Sequence, residues 1–177
     1  MSQPNLAPLR RVVAAHNELG IGAVTSDSKL VPEDLPIGKG GDLKCAPIWK
    51  ITDPLPTNDN NNSEDGAERV INPLENFGLV SDKGSNFQMT ELAPGAITPM
   101  HRTSSLDYDI LIDGELLLVM EDGTETLLTQ PGDTVVMKGA MHAWKNPSAT
   151  KWCRWMSVLT SAQPAVVNDR PLAPALD

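Results

Sequence analysis

Apolar and polar residues alternate through the second half of this chain, and short turn sequences interrupt the alternation at regular intervals. Asp113-Gly114 and Asp122-Gly123 each stand between runs rich in Leu, Ile, Val and Thr, and a Pro-Gly turn follows within residues 130–133. An Asp-Gly pair between alternating runs is a strong short-range signal of a β-hairpin. Short strands separated by turns about every 8–12 residues predict an antiparallel sandwich or barrel, so the predicted fold class is all-β.

The same pattern places the individual elements along the chain. Strands of this half are predicted at 98–103, 106–112, 115–120, 124–129, 134–138, 142–146 and 151–159. Earlier strands are predicted at 45–51 and 85–92, after an N-terminal hairpin formed by 9–15 and 21–25. Pro, Gly and Asp dominate 26–42, which predicts a loop, and the Asn-rich run 58–66 predicts a mobile loop.

Three parts follow from this arrangement. Residues 1–44 form a β-hairpin and a loop that pack on the barrel or on a partner subunit, residues 45–160 form the barrel, and residues 161–177 form a Pro-rich tail along the surface. Strand 106–112 is apolar on the face that Tyr108 shares with Ile110, and this face must be covered. We therefore expect a homodimer whose N-terminal strands are packed or exchanged between subunits.

Composition excludes several classes of partner. The net charge is −9, which opposes binding to nucleic acid or to an anionic membrane surface, since both need clustered Lys and Arg. No apolar run approaches the roughly 18 residues of a membrane span, and the N-terminus does not read as a signal peptide. We expect a cytoplasmic protein with a small-molecule partner, in which Cys45 and Cys153 are reduced, buried thiols and not a metal pair.

The candidate chemistry centres on histidine. The chain has only three histidines, and His101 and His142 both lie among predicted strands. Alternate residues of a strand share a face, so His101 and Thr103 point the same way, and Asp107 joins them if the alternation continues. Two imidazoles and one carboxylate inside a barrel predict a functional pocket with perturbed proton affinities.

The spacing of these residues resembles the two motifs of the cupins. Gly95, five residues, His101-Arg102-Thr103, three residues, Asp107, six residues and Gly114 follow the first motif. Gly132, Gly139, His142 and Asn146 follow the second. The fuller pattern, His-Arg-Thr-x-Ser-x-Asp-Tyr from residue 101 and His-Ala-Trp-x-Asn from residue 142, is similar to that of small single-domain, RmlC-like cupins. Such cupins occur in fungal and bacterial natural-product pathways. The resemblance implies a cupin double-stranded β-helix, a jelly-roll barrel, with the N-terminal hairpin as an extension.

Three departures from the motifs bear on function. Thr103 stands at the place of the usual second histidine, Asp107 replaces the glutamate, and Met137-Lys138 replaces the proline segment. The resemblance therefore does not supply the common ligand set of three histidines and one glutamate. His101, Asp107 and His142 remain the candidate catalytic residues, and Thr103, Tyr108 and Trp144 are candidates for substrate binding.

Three functions remain open. The leading hypothesis is an enzyme that acts on an organic metabolite by acid/base chemistry, as a dehydratase, isomerase or decarboxylase, with Asp107 orienting or charging a histidine. The second is a metal-dependent oxygenase in which His101, Asp107 and His142 hold one divalent Zn, Fe or Mn. The third is a barrel that binds a small molecule without catalysis. The cofactor is accordingly either none or one divalent metal.

Overall fold

The computed structural model describes residues 6–177, and nearly all of its regular structure is strand, as the alternation predicts. The strands are β1 (Arg10–His16), β2 (Gly22–Lys29), β3 (Glu33–Asp34), β4 (Leu43–Ile51), β5 (Ser85–Leu92), β6 (His101–Arg102), β7 (Ser105–Asp113), β8 (Leu116–Met120), β9 (Glu125–Leu128), β10 (Thr134–Lys138), β11 (His142–Lys145), β12 (Cys153–Ser161), β13 (Val166–Val167), β14 (Arg170–Pro171) and β15 (Ala175–Leu176). Single 3-10 turns cover Asp59–Asn61, Gly66–Glu68 and Asn76–Gly78. Within 6–177 no helix has the length and apolar character needed to cross a bilayer.

Two antiparallel sheets form the body of the molecule. One has the order β10-β7-β12-β5-β4-β3, and the other has the order β15-β6-β11-β8-β9. Leu92, Leu111 and Trp155 of the first sheet pack in one core with Leu116 and Trp144 of the second. The two sheets therefore enclose the interior between them, which confirms the all-β jelly-roll prediction.

The turns form where the Asp-Gly pairs predict them. Gly114 and Gly123 adopt φ angles of +79° and +84°, a region that favours glycine. A Cβ on Gly114 would also lie 2.9 Å from the carbonyl oxygen of Trp152, so this turn sits tightly against the start of β12. These turns set the register that keeps alternate residues of β7 and β8 inside the barrel.

The chain before the barrel differs from its prediction in one respect. β2 continues to Lys29 and β3 pairs with β4, so the predicted loop 26–42 is shorter than its Pro and Gly content indicates. β1 and β2 hydrogen-bond to each other as a separate two-stranded sheet. The backbone hydrogen bonds that join them do not extend to either barrel sheet.

The Asn-rich run is not detached from the body, contrary to what its composition suggests. Asp59 accepts hydrogen bonds from Trp49 Nε1 at 2.6 Å and from Arg69 at 2.9 and 3.0 Å. Asp65 pairs with Arg11 of β1. The run thus connects the hairpin to the barrel. At the other end of the chain, β15 pairs with β6 and lies beside His101.

Candidate active site

Two histidines lie side by side inside the barrel. His101 of β6 and His142 of β11 are cross-strand partners, and their ring centroids are 4.4 Å apart with the planes tilted by 48°. His142 is buried, and His101 is partly buried. The two motifs therefore bring both imidazoles to one place, as the sequence predicts.

Backbone carbonyls determine the tautomer of both rings. His101 Nδ1 lies 3.0 Å from the carbonyl oxygen of Pro99, and His142 Nδ1 lies 2.8 Å from that of Ala140. A carbonyl oxygen only accepts, so each Nδ1 carries the proton and donates it. In the neutral ring, Nε2 is then an acceptor that remains for the pocket.

Burial keeps these imidazoles neutral. It lowers the pKa of His101 below its ordinary value of 6.5. It lowers the pKa of His142 to about 4, with a further contribution from the neighbouring His101. Loss of hydration disfavours the charged imidazolium, and two adjacent rings cannot both be charged cheaply. At neutral pH the pair therefore presents lone pairs rather than positive charge.

Two carboxyl groups face the same interior from β7. Asp107 is buried, and its Oδ1 atom has no hydrogen-bond partner. Burial raises the pKa of Asp107 to about 6, although the Ser105 hydroxyl lowers it in part. Asp109 is also buried, and burial raises its pKa to about 7, while Ser157 lowers it and the Asp107 charge raises it. The Ser157 hydroxyl donates to Asp109 Oδ1 at 2.6 Å.

The expected pairing of Asp107 with a histidine is wrong. In the described part of the chain, the hydrogen bonds of both imidazoles go to backbone carbonyls, and burial rather than a carboxylate shifts their pKa values. Asp107 and the histidines come from different sheets. Burial thus raises the pKa of both carboxyl groups to about 6 and about 7, whereas it lowers the pKa of both imidazoles.

The remaining walls are mostly apolar. Trp144 meets His142 edge to face at 5.6 Å between centroids, and Trp155 lies 6.0 Å beyond Trp144. Leu35 and Ile37, from the segment between β3 and β4, complete the lining. The space between these side chains is only about 50 Å³, which holds a few water molecules.

The predicted substrate-binding residues have different positions. Thr103 and Trp144 line the pocket, and the Thr103 hydroxyl shares a hydrogen bond of 2.8 Å with Ser105 Oγ. Tyr108 does not line the pocket. It follows Asp107 on β7, so strand alternation turns it to the outer face, where it is 42% exposed. The prediction for Tyr108 is therefore wrong.

The proposed metal set does not assemble. Among residues 6–177, no group of three or more His, Cys, Asp or Glu side chains is placed to hold a metal ion. His101 and His142 are adjacent, but Asp107 approaches from the opposite sheet and does not complete a ligand set with them. The residues present do not fit the divalent metal that the second hypothesis requires.

Sequence reasoning missed four residues that line the pocket, namely Asp109, Ser157, Leu35 and Ile37. Alternation on β7 carried a signal for Asp109, because residues 105, 107 and 109 share a face. Ser157 is the cross-strand partner of Asp109 on β12. Leu35 and Ile37 lie in an irregular segment, and no local pattern in such a segment predicts which cavity it covers.

The two facing antiparallel sheets, with an interior pocket that both motif histidines line, have the architecture of the cupin fold. It is 36% identical over 95 residues to phomopsin biosynthesis cluster protein D of Diaporthe leptostromiformis, a match that covers 54% of this chain and 50% of that protein. It is 41% identical over 88 residues to the cupin-domain-containing oxidoreductase virC of Hypocrea virens, covering 49% of this chain and 45% of that protein.

A solved structure supports the fold. The polyketide cyclase RemF from Streptomyces resistomycificus superposes with a TM-score of 0.50 at 13% identity, covering 79% of this chain and 83% of that one. At that identity the likeness concerns the fold alone. No protein-family model matches the chain. The chain spans about half the length of the curated relatives it matches.

Proposed function

We propose that this cupin is an enzyme of a biosynthetic pathway that transforms a small organic metabolite by acid/base chemistry, as a dehydratase, isomerase or decarboxylase does. The observation that carries the proposal is the burial of Asp107 and Asp109 in one pocket with two neutral imidazoles. The names of two relatives, which refer to the phomopsin and oryzine biosynthesis clusters, support the pathway setting. The free, buried thiols Cys45 and Cys153 are consistent with work in the cytoplasm.

The proton affinities suit this chemistry. A general acid or base works best when its pKa lies near the working pH, and Asp107 at about 6 and Asp109 at about 7 meet this condition. We assign the proton transfer to Asp107, because its Oδ1 has no other partner. The imidazole Nε2 atoms accept hydrogen bonds from the substrate and hold it in position.

The test uses intermediates of the pathway encoded beside the gene. Purified protein is incubated with each one in D2O, and mass spectrometry follows solvent deuterium into carbon positions. We expect deuterium uptake or loss of water or CO2, with no two-electron oxidation. Asp107→Asn should lower turnover by roughly 10²–10⁴ fold. Asp53→Asn, a change to an exposed carboxylate, is the matched control. Undiminished turnover in Asp107→Asn contradicts the assignment.

A second candidate is an oxidoreductase, because several relatives carry that word in their names. The same incubations distinguish the two. An oxidoreductase product differs from its substrate by two hydrogens or by oxygen, and an oxygenase consumes O2. Elemental analysis of protein purified without chelator adds a separate reading, since a metal-dependent oxygenase needs near-stoichiometric metal and loses activity in EDTA.

A barrel that only binds its ligand gives a third pattern of results. No intermediate is then turned over, and His101→Ala and His142→Ala bind the ligand as well as the wild type does. Catalysis by the pocket predicts the opposite, because both rings face the reacting molecule.

A further inference from the structure

The barrel pocket contains no positively charged side chain. Of the residues that the structure describes, neither lysine nor arginine lines it, whereas Asp107 and Asp109 both do. A carboxylate or phosphate ligand would find no cation to pair with and would face two acidic groups at close range. Anions are therefore poor ligands for this pocket.

Apart from the Thr90 hydroxyl, which can donate or accept, the pocket atoms that lack a partner are acceptors at neutral pH. Asp107 Oδ1 is buried without a hydrogen bond, and both imidazoles donate hydrogen bonds from Nδ1–H to backbone carbonyls, which leaves each Nε2 as an acceptor. An unpaired buried acceptor costs free energy, and a donor from a ligand recovers it. Asp109 differs, since Ser157 already donates to it. Near Asp107 the site therefore lacks a hydrogen-bond donor, which a ligand can supply.

The apolar walls of the pocket favour a flat carbon skeleton. Trp144 and Trp155 present aromatic surface, and Leu35 and Ile37 add aliphatic surface. An ammonium group could donate to Asp107, but its charge would have to leave water for a space walled by these side chains. A hydroxyl group donates at a much smaller desolvation cost.

We infer that the pocket binds an uncharged planar molecule bearing hydroxyl groups, and that one hydroxyl donates to Asp107 Oδ1 while another donates to an imidazole Nε2. The statement that this molecule is the substrate rests on the proposed function, whereas its binding does not. The hydroxyl group that donates to Asp107 then lies beside the carboxyl group to which we assign proton transfer.

Ligand binding requires the pocket to widen. A cavity that holds benzene is on the order of 150 Å³, and the space here is about 50 Å³. We take Leu35 and Ile37 as the residues that move, because they line the pocket from the segment between β3 and β4 and belong to neither strand. Their segment ends in Gly38-Lys39-Gly40-Gly41, where both Gly40 and Gly41 have positive φ. Replacing Leu35 by Ala should enlarge the space and ease binding without removing any polar contact.

The experiment measures binding of four small probes of similar size by ligand-observed NMR at pH 7.5 in EDTA. The probes are resorcinol, 1,3-dimethoxybenzene, benzoate and benzylammonium. We expect resorcinol to bind more tightly than its dimethyl ether by roughly tenfold to a hundredfold, the scale of a hydrogen bond to a buried charged acceptor. Leu35→Ala should strengthen resorcinol binding. Asp107→Leu should abolish the preference, and Asp53→Leu, an exposed control, should retain it.

Several results overturn the inference. They are tighter binding of benzoate or benzylammonium than of resorcinol, equal binding of resorcinol and its ether, or no millimolar binding of any probe to wild type and Leu35→Ala alike. Circular dichroism of Asp107→Leu verifies its fold, and the wild-type probe ranking decides the question if that variant is unstable. Because binding is measured without turnover, the absence of a hydroxyl preference in the wild type counts against the inference alone. Full turnover by Asp107→Asn counts against the proposed function alone.

Discussion

The usual order of pKa values is reversed in this pocket, where both carboxyl groups have a higher pKa than the His142 imidazole. Asp107 and Asp109 hold protons up to about pH 6 and 7, whereas His142 releases its proton near pH 4. One cause, loss of hydration, accounts for both directions, because it disfavours whichever form carries charge. The pocket is thus close to neutral in weakly acidic solution and gains negative charge as the pH rises.

The pKa of Asp107 has a consequence for stability. Its folded value, about 6, lies above its ordinary value of 3.8, so its contribution is fully present below about pH 3.8 and is lost as the pH rises through 6. Asp107→Asn removes that loss. We expect the variant to gain stability relative to wild type at pH 8, on the order of 2–3 kcal/mol, with only about 1 kcal/mol of that gain at pH 4.5.

Urea unfolding at the two pH values checks this prediction, with Asp53→Asn as the exposed control. A difference that does not change with pH would show that Asp107 is ionised at both values. His142 acts in the opposite direction, since its pKa is lowered. The contribution of His142 to stability is present above about pH 6.5 and is lost as the pH falls through 4. Wild type and Asp107→Asn share this contribution, so it does not affect the difference between them.

At the scale of elements, two neighbouring arginines of β1 form ion pairs in different places, one within the hairpin and one with the Asn-rich run. Arg10 pairs with Asp27 across the hairpin, and both are well exposed. Arg11 is largely buried; it pairs with Asp65 and also donates to the carbonyl oxygen of Ile48 at 3.2 Å. A two-stranded hairpin is marginal by itself, so its position depends on such attachments to the barrel.

We therefore expect Arg11→Met to release the hairpin and Arg10→Met to leave it in place. Hydrogen–deuterium exchange should rise across residues 10–29 in Arg11→Met, while exchange in β5, β7 and β12 stays unchanged. The exposed pair of Arg10 contributes little, as surface ion pairs generally do. Equal exchange in the two variants would assign the hairpin's position to apolar contacts instead.

Two sets of exposed apolar residues matter at the scale of the whole molecule. Tyr108 and Val136 are neighbours on the outer face of the six-stranded sheet and are 42% and 55% exposed. Val12 and Val24 of the hairpin are 48% and 63% exposed. Large exposed apolar side chains that lie next to each other favour an interface. We propose that a second copy of the chain covers the sheet face, with the hairpins packed across the dimer.

Light scattering at micromolar concentration should then give a particle of about twice 19.1 kDa. Val136→Glu places a charge in the proposed interface and should yield monomers. Leu74→Glu is the matched control, because Leu74 is 92% exposed and lies outside the sheet. A wild-type particle of one chain mass contradicts the proposal.

Local pattern alone predicts much of this molecule. The bounds of β5 and β7 to β12 lie within about two residues of their predictions, because alternation and Asp-Gly turns are properties of neighbouring residues. The motif spacing likewise indicates that His101 and His142 meet. Once the register of β7 is known, alternation also predicts that Asp109 faces the pocket and that Tyr108 faces outward.

Tertiary structure decided what the pocket does with these residues. Burial from all sides, not sequence spacing, raises the pKa of Asp107 and lowers that of His142. The backbone carbonyls of Pro99 and Ala140, rather than a carboxylate, hold the rings. Desolvation and hydrogen bonding depend on atoms brought together from distant parts of the chain, so a pattern of neighbouring residues contains no measure of them.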